Sequence, residues 1–233
     1  SVTDPFISFD AKWCYYAYFP DLRPGALNGE QANLPYAGCD IYKINLQTRA
    51  IQRLTFQEFT PNTGAGQWNY ADPAGTSSGK TAPGYGMLNL GPCPAPGGKI
   101  VFVSNRNAFT PPKGYTAPTL QLFTMDEDGK NVTFIGPMNI GSALHPTPLQ
   151  DGRIMFSSYE SQGLRDGRTW GVWTIWPDGE LWEPLVSAYH SGQAFHFMTQ
   201  LSDGDIVVVD YYNMNNNGFG ALFRLPVELP PGQ

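Results

Sequence analysis

The sequence predicts an all-β fold, namely a β-propeller built of four-stranded antiparallel blades. A unit of one turn and one apolar strand recurs at residues 97–104, 151–158 and 203–210, with a weaker copy at 10–16. Repeats of about fifty residues are typical of propeller blades. The composition agrees, because 14% of the residues are aromatic and the 26 Gly and 21 Pro supply many turns between short strands.

Each unit has a second half that completes the blade. The segments 41–44, 122–125, 172–175 and 222–225 align without gaps. In the first three units a polar turn and another short strand follow, and two of these turns contain Asp-Gly, a strong hairpin signal. A further short strand precedes each repeat turn, for example at 143–149. Every unit therefore has four strands, and such sheets arrayed radially form a propeller.

The repeats predict particular strands and core positions, with no sizeable helix anywhere. Four blades are recognisable, which is enough for a small ring or for part of a larger ring whose other blades lie outside this chain or on a partner. The strands are expected near residues 13–18, 40–46, 99–104, 120–126, 153–158, 171–176, 205–210 and 220–225. The core between blades is expected to include Val101, Phe102, Met155, Phe156, Val207 and Val208.

Two features interrupt the regular pattern. Residues 60–86 are rich in Gly and Pro, and a segment of this length without strand signals is usually functional or disordered. We expect this inserted loop to pack over a propeller face or onto a partner. The last unit lacks a clear fourth strand after residue 225. Residues 1–233 are therefore interpreted as a single propeller domain, or a fragment of one, with a long inserted loop at 60–86.

Two segments supply candidates for partner contact at the rim of the propeller. Asn213, Asn215 and Asn216 lie in an amide-rich stretch between two predicted strands, where they could cap the channel mouth or bind a partner backbone. The same stretch is equally consistent with a wide turn, because Asn tolerates left-handed backbone dihedrals. Trp68 and Tyr70, in the inserted loop, are the aromatic candidates.

Charge and hydropathy argue against two classes of partner. The 14 Lys and Arg against 20 Asp and Glu give a net charge of −6 with no basic stripe, which argues against nucleic-acid binding. No stretch approaches the roughly 20 consecutive apolar residues of a membrane-spanning helix. Neither is therefore an expected partner. The incomplete ring of blades predicts other protein subunits as the partners instead.

The three cysteines, Cys14, Cys39 and Cys93, are widely spaced and form no CxxC or CxxCH motif. A zinc ribbon, a thioredoxin-type site and a covalently attached c-type haem are therefore not expected on this chain. We interpret the cysteines as small buried core residues. A disulfide between Cys14 and Cys39 is the alternative in an oxidising compartment.

His145 and His196 are the candidate metal ligands, because they occupy comparable places on the predicted first strands of two blades. First strands line the central channel of a propeller, where imidazoles could bind a metal or line a haem pocket. Their spacing differs, since His145 lies seven residues before Gly152 whereas His196 lies eight before Gly204. This slip points the side chains to opposite faces unless a bulge intervenes. A hydrogen-bonded structural role is the alternative.

No catalytic motif stands out, so the catalytic and cofactor-binding residues are left unassigned. The carboxylates are scattered along the chain, and no nucleophile elbow, HExxH motif or phosphate cradle is present. We therefore expect this chain alone to be catalytically inert. Whether it contributes to an enzyme depends on what it assembles with.

Longer stretches of the sequence resemble a known family. The pattern of a Pro, then Gly-Gly-Lys or Asp-Gly-Arg, then an aromatic strand ending near Ser-Asn-Arg resembles the TolB-type propeller repeat of bacterial periplasmic proteins. A closer similarity is to the propeller region of hydrazine synthase alpha-subunit-like proteins. The stretches that carry it span nearly the whole chain, at 40–44, 57–65, 87–106, 139–141, 157–164 and 200–220.

This resemblance implies a role in a redox assembly. The enzyme of that family is a multihaem periplasmic-type complex that makes hydrazine from nitric oxide and ammonium, with haems attached by CxxCH motifs outside the propeller repeats. The resemblance thus implies a scaffold in a periplasmic or extracellular haem-containing complex, with haem c on flanking sequence or a partner subunit and no cofactor on this chain. The alternative is a non-catalytic protein-interaction module, and a hydrolase or lyase with its site in the channel is a third interpretation.

Overall fold

The structure, a computed structural model, describes residues 1–20, 38–58, 60, 87–107, 109, 118–137, 139, 141–159, 170–186, 195–210 and 220–226. Within these ranges fifteen β-strands form four antiparallel blades. The predicted all-β propeller is therefore confirmed. The same ranges contain no helix long and apolar enough to cross a membrane.

The strands of each blade follow one another as an antiparallel meander, and the first strand of each blade packs against the first strands of its neighbours. The eight strands predicted from the repeats are all present, with bounds that agree to within about one residue. Blade 1 comprises β1 (Val2–Ile7), β2 (Trp13–Tyr18), β3 (Asp40–Asn45) and β4 (Ile51–Arg53); blade 2 comprises β5 (Asn89–Ala95), β6 (Lys99–Ser104), β7 (Gln121–Asp126) and β8 (Thr133–Phe134); blade 3 comprises β9 (Ser142–Pro148), β10 (Ile154–Tyr159), β11 (Gly171–Ile175) and β12 (Glu183–Val186); blade 4 comprises β13 (Phe195–Gln200), β14 (Ile206–Asp210) and β15 (Ala221–Leu225).

The two central blades are covered on both faces, which explains their continuous apolar strands. In β6, Ile100 and Phe102 point toward blade 1, whereas Val101 and Val103 point toward blade 3. Side chains alternate between the two faces of a sheet, so one strand supplies an apolar row to each neighbour. The predicted core residues that are fully buried are Val101, Phe102, Met155, Phe156 and Val208.

Three core clusters join the four blades in series. They lie between blades 1 and 2, blades 2 and 3, and blades 3 and 4, and their aromatic members include Phe123, Phe156 and Phe195 respectively. Among the described residues, no such cluster joins blade 4 to blade 1. The blades thus form an arc around a shared axis, with one open blade face at each end.

Val207 is a correction to the predicted core. It is only half-buried, because it lies on the outer face of blade 4, where no described blade covers it. The prediction assumed that every blade has a neighbour on both sides. The last unit has three strands in the described part of the chain, as its sequence indicated.

All three cysteines are free thiols, so the alternative of a Cys14–Cys39 disulfide is wrong. Cys14 is half-buried on the outer face of blade 1, whereas Cys39 lies at the boundary with blade 2, where its Sγ donates to the Asn89 carbonyl at 3.3 Å. Cys39 and Cys93 are buried core residues, as interpreted from the sequence, whereas that interpretation is wrong for Cys14. Burial raises the pKa of the Cys39 and Cys93 thiols above the ordinary value.

One longer turn explains why the repeat in blade 1 is the weakest copy. Residues 8–13 separate the paired residues Ile7 and Cys14, whereas residues 95–99 separate Pro94 from Ile100. The turn of blade 1 is therefore one residue longer. As a result Cys14, and not Trp13, occupies the position that Ile100 has in blade 2.

Candidate functional site

The inner strand of every blade carries a bulge at the same place. At each bulge the register with the second strand shifts, and one residue adopts a left-handed backbone. These residues are Asp4 (φ 54°), Gly91 (56°), His145 (53°) and Phe197 (48°). Proline follows the first three, and bulges are among the few places in a sheet where the missing N–H is tolerated. The four inner strands are thus bent in the same way.

The four bulges surround one cavity on the axis of the arc. Its volume is about 390 Å³, and its lining also includes Thr3, Phe6 and Thr147. A non-glycine residue in the left-handed region costs on the order of 1–3 kcal/mol, and such residues cluster at functional sites. The cavity is therefore the candidate functional site.

His145 lines this cavity, and the structure brings His196 into contact with it. His145 Nε2 lies 2.9 Å from His196 Nδ1, so a hydrogen bond joins blades 3 and 4. The two positions are not equivalent, because His145 is the bulge residue of β9 whereas His196 precedes Phe197, the bulge residue of β13. The bulges allow side chains from non-equivalent positions to meet, as the sequence spacing required.

Both imidazoles are neutral near pH 7. Burial lowers the pKa of His145 to about 4, and burial together with His145 lowers the pKa of His196 to about 4. A neutral imidazole has one donor and one acceptor nitrogen, so the tautomers decide which ring donates. In the described part of the chain, no group of three or more His, Cys, Asp or Glu side chains is placed to hold a metal ion. A metal role for the pair stays a prediction.

Aromatic rings extend from the histidine pair. The His145 ring packs on Phe197 with centroids 4.3 Å apart, and the His196 ring packs on Trp170 at 5.0 Å. Trp170 in turn stacks on Tyr159 at 3.8 Å. These rings form one continuous wall at the boundary of blades 3 and 4. Such an apolar wall disfavours the charged form of an imidazole, which is the physical cause of the lowered pKa values.

Asp4 places a carboxyl group on the blade 1 side of the cavity. Its oxygens accept hydrogen bonds from the Gly91 backbone N at 3.2 Å and from the Thr3 hydroxyl at 3.3 Å. Burial raises the pKa of Asp4. Across the arc, Thr147 Oγ1 donates to the Met198 carbonyl at 3.2 Å. Hydrogen bonds therefore join the bulge of blade 1 to that of blade 2, and the bulge of blade 3 to that of blade 4. The cavity offers a carboxyl group, hydroxyl groups and a neutral imidazole to a ligand.

The remaining predicted site residues lie outside the described residues, namely Asn213, Asn215, Asn216, Trp68 and Tyr70. Sequence reasoning missed Asp4 and Phe197 as cavity residues. A signal for them exists, because each bulge residue lies seven positions before a turn residue that also has positive φ. Those turn residues are Ala11, Gly98, Gly152 and Gly204.

Comparison with known proteins identifies the fold. No protein-family model and no curated protein matches the sequence. Among solved structures, the chain is similar to an oligogalacturonate lyase from Vibrio parahaemolyticus, with a TM-score of 0.55 and 14% identity over 96% of this chain and 50% of that chain. Hydrazine synthase from Kuenenia stuttgartiensis gives a TM-score of 0.52 and 16% identity over 92% of this chain and 30% of that chain. TolB from Acinetobacter baumannii gives 0.48 and 13% identity over 89% and 40%.

The similarities to oligogalacturonate lyase and to hydrazine synthase show a β-propeller fold and nothing finer, because both identities are far too low to transfer an activity. The chain spans half or less of the length of each of these structures. The structural comparison therefore supports the sequence resemblance to hydrazine synthase only for the fold.

Proposed function

We propose that this chain is a propeller scaffold that binds further protein through the open faces of its two end blades. The proposal rests on the strand register, which shows which positions of the end blades are equivalent to buried positions of the other blades. The end faces present apolar residues at the positions which, elsewhere in the same fold, are buried by a neighbouring blade. The occupant that such a face fits is another antiparallel propeller blade.

Blade 1 exposes the face that receives a preceding blade. By strand pairing, Tyr16 and Tyr42 occupy the positions of Phe102 and Phe123, which are fully buried against blade 1. The tyrosine rings stack with centroids 5.9 Å apart, much as the phenylalanine rings do at 5.7 Å. Tyr18 packs edge-on against Tyr42 and is 37% exposed. The face is thus built like a blade boundary.

Blade 4 exposes the opposite face, which receives a following blade. Leu222 occupies the position of Ile41, Leu122 and Val172, all of which are fully buried. Leu222 itself is 73% exposed. Contiguous exposed apolar surface is typical of interaction sites. The two ends of the arc therefore offer both halves of the blade-to-blade contact.

We place this scaffold in a periplasmic or extracellular haem-containing redox complex. The support is the sequence resemblance to hydrazine synthase alpha-subunit-like proteins, together with the similar fold of hydrazine synthase. In this proposal the chain supplies walls and orientation, and haem c is attached to flanking sequence or to a partner subunit. The alternative is a protein-interaction module outside any redox complex, which would use the same two faces.

Photo-crosslinking in the native organism tests the two faces. A benzophenone amino acid replaces Tyr42 or Leu222, and Leu185, which is exposed on β12 of blade 3, is the matched control position. We expect crosslinks from the first two positions to peptides of another propeller blade and none from Leu185. Crosslinks to a second copy of this chain would make the assembly a homo-oligomer. Crosslinks to a protein without blades, or none at all, would contradict the proposal.

The redox context has a separate readout. The complex purified through this chain should show a Soret band, whereas the chain alone should show neither a Soret band nor a stoichiometric transition metal. A complex without haem would remove the redox assignment and leave the interaction module. Metal or haem bound to the isolated chain and lost in His145→Ala or His196→Ala would instead make the cavity the active centre.

A further inference from the structure

Arg106 is a buried cation at the boundary of blades 1 and 2. It follows β6 in the Ser-Asn-Arg-Asn segment 104–107 and is 2% exposed. Its backbone N donates to Ser104 Oγ at 3.0 Å, and its carbonyl accepts from the Thr60 N at 2.9 Å. The guanidinium carbon lies 5.9 Å from the centre of the Phe123 ring. Backbone and core contacts therefore hold this side chain in place.

The guanidinium group carries donors without acceptors. In the part of the chain that the structure describes, Arg106 Nε and Nη1 make no hydrogen bond, although both atoms are buried. Nη2 reaches only Glu58 Oε2, at 3.4 Å, and the Glu58 side chain is 60% exposed. Burial lowers the pKa of Arg106, yet arginine keeps its charge in proteins. Buried charged donors without acceptors are costly, so this arrangement is suited to an anion.

Arg106 lines a groove of about 650 Å³ between blades 1 and 2. Phe56 and Val132 contribute apolar wall, and Glu58, Lys130 and Asn131 contribute polar groups. The groove is large enough for a small organic molecule, and its walls would contact an apolar portion of that molecule. An anionic head group would reach Arg106.

The other charges in the groove favour a particular class of anion. Lys130 is already paired with Asp128 at 2.7 Å, and the carboxylates of Glu58 and Asp128 both line the groove. A phosphate dianion would be repelled by both carboxylates. An organic carboxylate carries a single charge, and its two oxygens match the planar donor fork of arginine.

We infer that this groove is a binding site for an organic carboxylate that pairs with Arg106. The carboxylate takes Nη2 and one of the two donors that have no acceptor, while Glu58, on the exposed side, moves toward solvent. Glu58 is thus a built-in competitor for the site. This inference is independent of the proposed scaffold role, because the groove lies apart from both end faces.

An NMR titration of the nitrogen-15-labelled chain tests the inference. Sodium acetate is the probe, inorganic phosphate is the discriminating anion, and sodium chloride at equal ionic strength is the control. We expect acetate to produce saturable shifts in an arginine Nε–H signal and in the backbone amides of Lys130 and Asn131, with weaker binding of phosphate. Equal shifts with chloride, or tighter binding of phosphate than of acetate, would overturn the assignment.

Three variants separate binding from folding. Glu58→Gln removes the competing charge at an exposed side chain, and acetate should then bind about two- to fivefold more tightly. Arg106→Lys keeps the charge without the fork, so the saturable amide shifts should disappear. Lys12→Gln breaks an exposed ion pair with Asp10 and should leave the titration unchanged. If Arg106→Lys does not fold, Glu58→Gln decides, and an unchanged acetate affinity there rejects the site.

Discussion

His145 and Phe197 hold backbone dihedrals that L-residues rarely adopt, and their rings meet at the boundary of blades 3 and 4. A residue in a sparsely populated conformation persists only where its surroundings over-determine it. Here the ladder on both sides of the bulge fixes the backbone, and the aromatic wall fixes the side chains. The backbone strain is therefore concentrated at residues whose side chains face the cavity, where a ligand would meet a preformed surface.

Folding stability should fall as the pH drops from about 6.5 to about 4. In the unfolded chain each histidine takes up a proton near its ordinary pKa of about 6.5. In the fold, burial holds the pKa of His145 and of His196 at about 4. Protonation across this window therefore favours the unfolded chain, and the stability is fully present only above about pH 6.5. Melting temperatures from circular dichroism between about pH 7 and pH 4 measure the effect.

Two control variants identify the groups responsible. Replacing both histidines by Gln should flatten the dependence of the melting temperature on pH. Asp4 acts in the opposite sense, because burial raises its pKa and its protonation favours the fold as the pH falls. Asp4→Asn should therefore make the loss steeper. The assignment fails if the double histidine variant and the unmodified protein respond to pH alike.

At the scale of the strand, the bulge of β5 leaves little room for a side chain at Gly91. Gly91 has a φ of 56°, and a Cβ there would lie 3.0 Å from Pro146 Cδ in the next blade. Gly97, in the turn after β5, has a φ of 76° and open space around it. Gly97→Ala should cost about 1–2 kcal/mol from backbone strain alone. Gly91→Ala should cost about 3 kcal/mol, because overpacking against Pro146 is added.

Urea denaturation of the two alanine variants measures this difference directly. Gly97→Ala serves as the control, since it changes the same kind of residue in the same left-handed region without a new contact. Equal losses of stability would show that the bulges of blades 2 and 3 do not pack on each other.

Some strands are easier to predict from the sequence than others, because strands buried on both faces carry a continuous apolar pattern. Strands such as β6 and β10 are predictable because they are apolar on both faces and follow Gly-containing turns. An inner strand such as β9 carries Pro and polar residues toward the cavity, which weakens its pattern. The sequence could therefore nominate His145 and His196, but their contact depends on a bulge. Arg106 was missed because a charged residue after a strand is ordinarily exposed.

At the scale of the whole molecule, the hydrophobic core is divided among the blade boundaries. Phe156 fills the central boundary, between blades 2 and 3, and Trp182 packs edge-on against it with centroids 5.4 Å apart. Phe156→Ala should lower the free energy of unfolding by about 3–5 kcal/mol. Leu222→Ala, at an exposed position of blade 4, is the matched control and should change it by less than about 0.5 kcal/mol.

Denaturant unfolding of both variants checks this division of the core. Similar losses for Phe156→Ala and Leu222→Ala would mean that the outer face of blade 4 is as well packed as the central boundary. The repeats allow the blades to be counted but do not show which faces are open, since a repeat carries the same apolar residues whether or not a neighbour covers them. Val207 was predicted as core for this reason.

The two open faces of the arc are complementary to each other as well as to a foreign blade. Blade 4 presents the face that, elsewhere in the fold, contacts the following blade. Blade 1 presents the face that contacts the preceding blade. Contacts between such unlike surfaces join copies head to tail, which gives a closed ring when the rotation per copy divides a full turn and an endless fibre when it does not. If partner blades cap these faces, as proposed above, the caps would also prevent polymerisation, and the order of assembly would contribute to the stability of the protein.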